Sequence, residues 1–254
     1  MAVVPDLASY ASRFEHVAFS RDDGILEMRL HTDGGPLIWG DGPHTELVYA
    51  FTEVGGDPEN RIVILTGTGD RFIADIDQSW VGAMTPAKYD TIYQHAKRLL
   101  QRLLEIPVPV IGAVNGPASV HAELAVMSDI VLSSDTAYFS DAPHFKYGTV
   151  PADGVHLIWP LLLGPNRGRY FLLTGQRLSA EEARNLGVVN EVLPPDRLME
   201  RAYELARLLV RQPDVTLRYT RDALTQQMKR LLMEELGHGL ALEGLATYES
   251  WPEE

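Results

Sequence analysis

Two apolar runs flanking one amphipathic stretch set the fold class. The first, Arg61-Ile62-Val63-Ile64-Leu65-Thr66, is closed by Gly67-Thr68-Gly69. Its apolar residues are contiguous and of strand length, which suits a strand buried on both faces. Over 87–105, Ile92, Ala96, Leu99, Leu100, Leu103 and Leu104 recur at helical spacing, with Lys97, Arg98 and Arg102 on another face. Pro107 and Pro109 stop that helix, and a second strand follows in Pro109-Val110-Ile111-Gly112-Ala113-Val114. Strand, helix, strand in this order predicts an α/β architecture with parallel pairing. Upstream, residues 15–31 read as two short strands about Arg21-Asp22-Asp23-Gly24, the second alternating Leu26, Met28 and Leu30 with Glu27 and Arg29. Gly34-Gly35-Pro36 then breaks the chain. From about residue 195 the pattern changes: residues 198–209 and 216–236 read as consecutive amphipathic helices, with no returning strand signal. The expected organisation is a core over 1–195 and a helical segment over 196–254.

Composition narrows the function. The 22 basic and 35 acidic side chains give a formal charge of −13. Such a field repels polyanions, so nucleic acid and anionic membranes are poor partners, and coenzyme A is disfavoured. The chain has no cysteine, which removes disulfides, thiolate nucleophiles and Cys-based zinc sites together. No apolar run reaches the roughly 20 residues that span a bilayer. The start, Met1-Ala2-Val3-Val4-Pro5-Asp6, lacks the basic and apolar regions of a signal peptide. A cytoplasmic location is the expectation.

The segment Val114-Asn115-Gly116-Pro117-Ala118-Ser119-Val120-His121-Ala122-Glu123-Leu124 leads into Met127-Ser128-Asp129-Ile130-Val131-Leu132. Together with Leu65-Thr66-Gly67, Gly148-Thr149-Val150-Pro151, Leu173-Thr174-Gly175 and Leu186-Gly187-Val188-Val189, this frame resembles the crotonase (enoyl-CoA hydratase/isomerase) superfamily over roughly residues 15–210. The resemblance implies an α/β fold: a crotonase-like spiral of ββα units with a C-terminal helical trimerisation segment, the trimers often paired into hexamers. It also exposes a departure. The family's usual chemistry relies on two peptide N–H donors, one from an Ala-Gly-Ala-Asp-like segment and one from a glycine run. Here those positions read Ile73-Ala74-Asp75-Ile76-Asp77 and Ser119-Val120-His121. Neither carries glycine, although one such donor is worth about 3 kcal/mol in enzymes where it has been removed.

One branch of the superfamily is similar to this chain at scattered polar and aromatic positions. It is the oxocamphor hydrolase group of β-diketone hydrolases, which cleave a carbon–carbon bond of a cyclic β-diketone with water and use no coenzyme A. The matching features are Leu37-Ile38-Trp39, His121, Pro143-His144-Phe145, Pro151-Ala152-Asp153-Gly154 and Leu240-Ala241-Leu242-Glu243. The run from Gly164-Pro165-Asn166 to Thr174-Gly175-Gln176 also looks like this branch.

Each candidate has an ordinary alternative. His144 retains proton-transfer capacity where hydratases carry a catalytic carboxylate. Asp153, nine positions on, meets it only if a loop folds back, and Gly148, Pro151 and Gly154 supply such a loop. By spacing alone the pair also reads as a surface histidine and a loop-capping aspartate. His121 reads as a helix-start histidine or as a donor to a ketone oxygen. Its His-x-Glu spacing matches zinc deaminases, but those require a Pro-Cys-x-x-Cys segment, so no metal is assigned. Glu123 is a weaker candidate, because the thioester family often has a carboxylate there. Trp39 reads as core or as an apolar wall with one N–H donor. Glu243 reads as an exposed helical residue or as a carboxylate that orients water. Phe72, Phe145, Trp159 and Leu161 are candidates for an apolar lining, and His156 competes with His144 for Asp153.

The resemblance implies catalytic His144, Asp153 and Glu243, substrate-binding Trp39 and His121, and no cofactor. The implied partners are a small diketone substrate and further copies of the chain, as a homotrimer or a dimer of trimers. The alternatives are an acyl-CoA hydratase, isomerase or thioesterase on the same fold, and a non-catalytic trimeric binding module. Serine hydrolase chemistry lacks its Gly-x-Ser-x-Gly turn.

Overall fold

The computed structural model describes residues 4–80 and 82–250. After a one-turn helix α1 (Leu7–Tyr10), β1 (Val17–Asp22) and β2 (Ile25–Leu30) form a hairpin, pairing Asp22 with Ile25 across the two-residue turn. Repeated units follow. In the first, the chain leaves β2 for the short β3 (Leu37–Trp39) and then α2 (Asp41–Gly56). In the second, β4 (Ile62–Thr66) leads to β5 (Ile73–Ile76) and α3 (Pro86–Glu105). In the third, β6 (Val110–Val114) leads to a single bridging residue, Ala118, and the short α4 (Glu123–Val126). β7 (Ile130–Ser134) then leads to β8 (Tyr138–Phe139), a 3-10 turn (Phe145–Tyr147), α5 (Val155–Leu163) and α6 (Pro165–Thr174). The chain ends through β9 (Leu178–Ser179), α7 (Ala180–Asn185), β10 (Glu191–Leu193), α8 (Pro195–Leu209) and α9 (Asp214–Ser250).

The first strand of each unit enters one sheet of order β1-β2-β4-β6-β7-β10, parallel throughout except for β1 against β2. The second strand of each unit enters a second layer. There β3 pairs in parallel with β5, β8 pairs antiparallel with β9, and Ala118 bridges Ile73 and Phe139 between the two pairs. This is the expected ββα spiral. Strand alternation partitions the core. Ile62, Ile64, Ile111, Ala113 and Leu132 face outward and meet Leu198, Ala202 and Ala206 of α8. Val63, Leu65, Val110 and Val114 face the inner layer. Each fully buried aliphatic side chain stabilises the fold by about 1.5–3 kcal/mol. The last strand ends at Leu193, and α8 beyond it still covers the sheet.

α9 runs past residue 236, where the sequence reading ended it. Gly237, Gly239 and Gly244 weaken the helical pattern there, but bulky neighbours explain them. A Cβ on Gly244 would stand 2.2 Å from Tyr89 Cε1, so only glycine lets α9 approach α3 so closely. Arg221 fixes the two helices together. Its buried guanidinium donates to the Leu104 carbonyl at 2.8 Å, to the Ile106 carbonyl, and to Asp129 Oδ2 at 2.7 Å. Those carbonyls belong to the C-terminal end of α3, where a helix has no internal donors left. From this anchor α9 carries Leu240 and Glu243 over the inner layer.

Candidate active site

The inner layer, α3 and α9 enclose a cavity of about 550 Å³, and Trp39, His121, His144, Asp153 and Glu243 all line it. Five elements deliver them. Trp39 ends β3, His121 precedes α4, His144 precedes the 3-10 turn, Asp153 precedes α5, and Glu243 lies in α9. The predicted loop between His144 and Asp153 does fold back. At its end Gly154 has φ 119° and a Cβ there would meet Leu100 Cδ1 at 2.2 Å, so glycine is required for Asp153 to face inward.

Asp153 Oδ2 sits between two imidazoles, 3.4 Å from His144 Nε2 and 3.5 Å from His121 Nδ1. Glu243 Oε1 is 4.0 Å from the same His144 nitrogen. The Trp39 and His121 rings lie 4.0 Å apart, centroid to centroid. The expectation that one ring nitrogen of His144 is held by a carboxylate is met by a residue that the sequence reading passed over. Asp141 Oδ1 accepts from His144 Nδ1 at 2.6 Å. Asp153 therefore faces the other nitrogen, Nε2, and two carboxylates flank one imidazole. The signal was present in Asp141-Ala142-Pro143-His144, a spacing of three that a tight turn closes. Similarly, Glu123 is fully buried with Oε1 2.5 Å from His121 Nδ1. His44, not singled out from the sequence, lines the cavity beside Trp39 and His121.

The lost glycines have a structural counterpart. Ser119 N–H and Val120 N–H both donate to the Ile73 carbonyl, at 2.9 and 3.2 Å. Those amides are spent within the layer. His121 adopts φ 45°, a left-handed conformation rare outside glycine, and this turns its ring toward Trp39. Trp39 Nε1 is buried without a hydrogen-bond partner among the described residues. Such an orphan donor in a cavity wall is available to a ligand.

The electrostatics divide the groups. Burial pushes His144 toward neutrality, but Asp153 and Asp141 outweigh it and raise its pKa well above the ordinary imidazole value. His121 is likewise raised, burial being outweighed by Glu123 and Asp153. Burial alone would raise Asp153, yet the imidazoles of His144 and His121 hold it well below the usual carboxylate range. Glu243, desolvated and facing Asp153, is pushed up to about 8. His44 is driven by burial, then by His121 and His95, down to about 3 and is neutral. The cavity thus holds a proton-bearing acid and an anion within one hydrogen-bonded cluster, the usual signature of acid–base chemistry.

The apolar lining differs from the expected one. Phe72 and Trp159 are fully buried core residues, and Phe145 and Leu161 are exposed. The walls come instead from Ile76, Trp80, Met84, Ile92, Val120 and Leu240. Among the described residues, the lining includes no lysine or arginine. His156 packs against Gly239 of α9 and outside that lining.

The family model for enoyl-CoA hydratase/isomerase matches residues 40–243. A putative enoyl-CoA hydratase of Thermus thermophilus is 34% identical over 182 residues, 70% of this chain and 71% of that protein. A carnitinyl-CoA dehydratase of Salmonella arizonae is 34% identical over 227 residues, 87% of this chain and 84% of that protein. Among solved structures, a β-diketone hydrolase from the cyanobacterium Anabaena, bound to (S)-3-oxocyclohexyl acetic acid, superimposes with a TM-score of 0.93 at 50% identity, covering 94% of this chain and 97% of that one. An enoyl-CoA hydratase/isomerase from Mycobacterium paratuberculosis gives 0.86 at 26% identity, covering 92% and 94%. Spiral core, long terminal helix and matched sequence agree: the chain belongs to the enoyl-CoA hydratase/isomerase, or crotonase, superfamily and is an enzyme of that superfamily.

Proposed function

We propose that the protein hydrolyses a carbon–carbon bond of a cyclic or bicyclic, non-enolisable β-diketone to give a keto acid. One observation carries this reading: two side-chain donors, Trp39 and His121, and a separate acid–base group, His144, line the same cavity. A β-diketone needs both. Neutral His144, its Nδ1 proton held by Asp141, takes a proton from water at Nε2, and the hydroxide adds to one carbonyl. The tetrahedral adduct collapses, the bond from that carbonyl carbon to the carbon between the two carbonyls breaks, and its electron pair passes into the second carbonyl as an enolate. Trp39 and His121 donate to that oxygen, where charge develops only after substrate has bound. The His144 imidazolium returns its proton to carbon. Water has then supplied the OH of the new acid and the new C–H, and the cycle closes. Glu243, protonated at neutral pH, flanks the nitrogen that receives the water.

The Anabaena hydrolase, with its bound keto acid, supports this reading. The absence of lysine and arginine from the cavity lining supports a neutral substrate without a nucleotide arm. The relatives named as acting on CoA thioesters define the competing reading. Incubation with a bicyclic β-diketone and, separately, with crotonyl-CoA decides between them. Diketone loss with stoichiometric acid is expected, and hydration of the thioester alone overturns the proposal. The same reading carries a homotrimer or a dimer of trimers, consistent with Leu224, Met233 and Leu245 standing exposed on α9 of the single chain. Light scattering of the purified protein tests it. Among the described residues no helix is long and apolar enough to cross a membrane.

A further inference from the structure

At the cavity wall, His121, Glu123 and Asp153 each offer one ligand atom, and these three atoms lie within 4.8 Å of one another. We propose that these three atoms form a binding site for a divalent transition metal such as zinc, and that the occupied site shuts the cavity down. In the sequence, His121-x-Glu123 lacks the cysteine partners of a zinc deaminase. The fold supplies the third ligand from thirty residues away, in Asp153.

The geometry is close to what zinc needs. Metal–nitrogen and metal–oxygen bonds of about 2.0–2.2 Å place neighbouring tetrahedral ligands roughly 3.3 Å apart. His121 Nδ1 and Asp153 Oδ2 are already 3.5 Å apart. The 2.5 Å contact between His121 Nδ1 and Glu123 Oε1 must open, with the metal taking the place of the shared proton. Imidazole and carboxylate together suit zinc and its cobalt surrogate. Three protein ligands with a fourth position left for water is a pattern zinc readily adopts.

A further observation points to a cation. Glu123 Oε2 and Asp153 Oδ1 are buried and have no hydrogen-bond partner among the described residues, although Glu123 is fully sequestered. Buried carboxylate oxygens without partners are rare and costly. The consequence for turnover rests on the proposed reaction: a metal at this point withdraws His121 from the substrate oxygen and Asp153 from His144. The binding claim does not depend on it.

The test reads the metal directly, without substrate. Untagged protein is titrated with Co²⁺ alone and the visible d–d absorption is recorded, followed by displacement with Zn²⁺. The expected result is one Co²⁺ per chain, bleached by Zn²⁺, with the band lost in Glu123→Gln and retained in His238→Gln, an exposed histidine on α9. If Glu123→Gln does not fold by circular dichroism, His121→Gln reads the same site. Failure of the wild-type protein to take up one equivalent overturns the proposal, as does a band unchanged in either site variant. Neither result bears on diketone hydrolysis, so the two proposals fail separately.

Discussion

Asp141 grips Nδ1 of His144 at 2.6 Å, while Asp153 faces the opposite nitrogen of the same ring at 3.4 Å. The two carboxylates therefore have different tasks. Asp141 fixes which nitrogen carries the proton when the ring is neutral, and so leaves Nε2 as the base. An amide in its place can donate to Nδ1 and stabilise the opposite tautomer. We expect Asp141→Asn to lower kcat on a bicyclic β-diketone by a factor on the order of 10³–10⁴, with the thermal midpoint little changed. Wild-type turnover in this variant would leave Asp153 as the only orienting group.

The raised pKa of His144 sets the pH dependence. Burial works against the imidazolium, but Asp153 and Asp141 hold the proton on. The base form appears only as that proton leaves, so kcat/KM should climb with pH on the alkaline side of neutrality. Asp153→Asn removes one of the two anions that favour the imidazolium. Its activity is expected to be far lower, with the rising limb displaced toward acid. A wild-type profile with no rise anywhere on the alkaline side of neutrality would show that His144 is not the titrating base.

Much of this site is legible in the sequence. Strand-length apolar runs at Ile62–Thr66 and Val110–Val114 became adjacent parallel strands, because contiguous apolar residues have no other burial on both faces. Trp39, His121, His144, Asp153 and Glu243 converge on one cavity. What sequence could not give is direction within a loop. Asp141 reads as one of several acids until the turn at residues 141–144 aims it back at its own histidine. His44 sits in the first turn of α2, and nothing in its spacing separates a ring facing a cavity from one facing core. Phe145 and Leu161 show the converse. Both are apolar neighbours of functional segments, yet both point to the outer surface, where the isolated chain exposes them.

Glu243 makes a prediction about stability instead of rate. Burial, with Asp153 nearby, pushes its carboxyl from the ordinary 4.5 up to about 8. The folded state therefore keeps a proton that the unfolded chain releases near 4.5. Stability from this group is complete below that value, declines as pH rises, and is lost once pH passes through about 8. His144, also raised, loses its contribution in the same direction. Glu243→Gln imitates the protonated carboxyl and does not titrate. Its melting temperature minus that of the wild type should increase with pH across this window and then level off. A difference that stays constant with pH means that Glu243 is ionised in the folded protein.

Trp39 separates substrate binding from charge stabilisation. Its indole N–H is unpartnered among the described residues, and its ring lies 4.0 Å from that of His121, centroid to centroid, so both donors can serve one oxygen. Trp39→Phe keeps most of the apolar wall and deletes one donor. The oxygen is a neutral ketone in the bound substrate and an enolate at the moment of bond cleavage, so the missing hydrogen bond matters most in the transition state. We expect kcat to fall by roughly 10²–10³ with KM nearly unchanged. His121→Ala should fall by a comparable factor and also lose stability, because buried Glu123 is left without its imidazole. In the double variant the two losses should not simply add, since both donors serve one atom. A raised KM with unaltered kcat in Trp39→Phe would make the indole a wall of the cavity and no part of the enolate's hydrogen bonding.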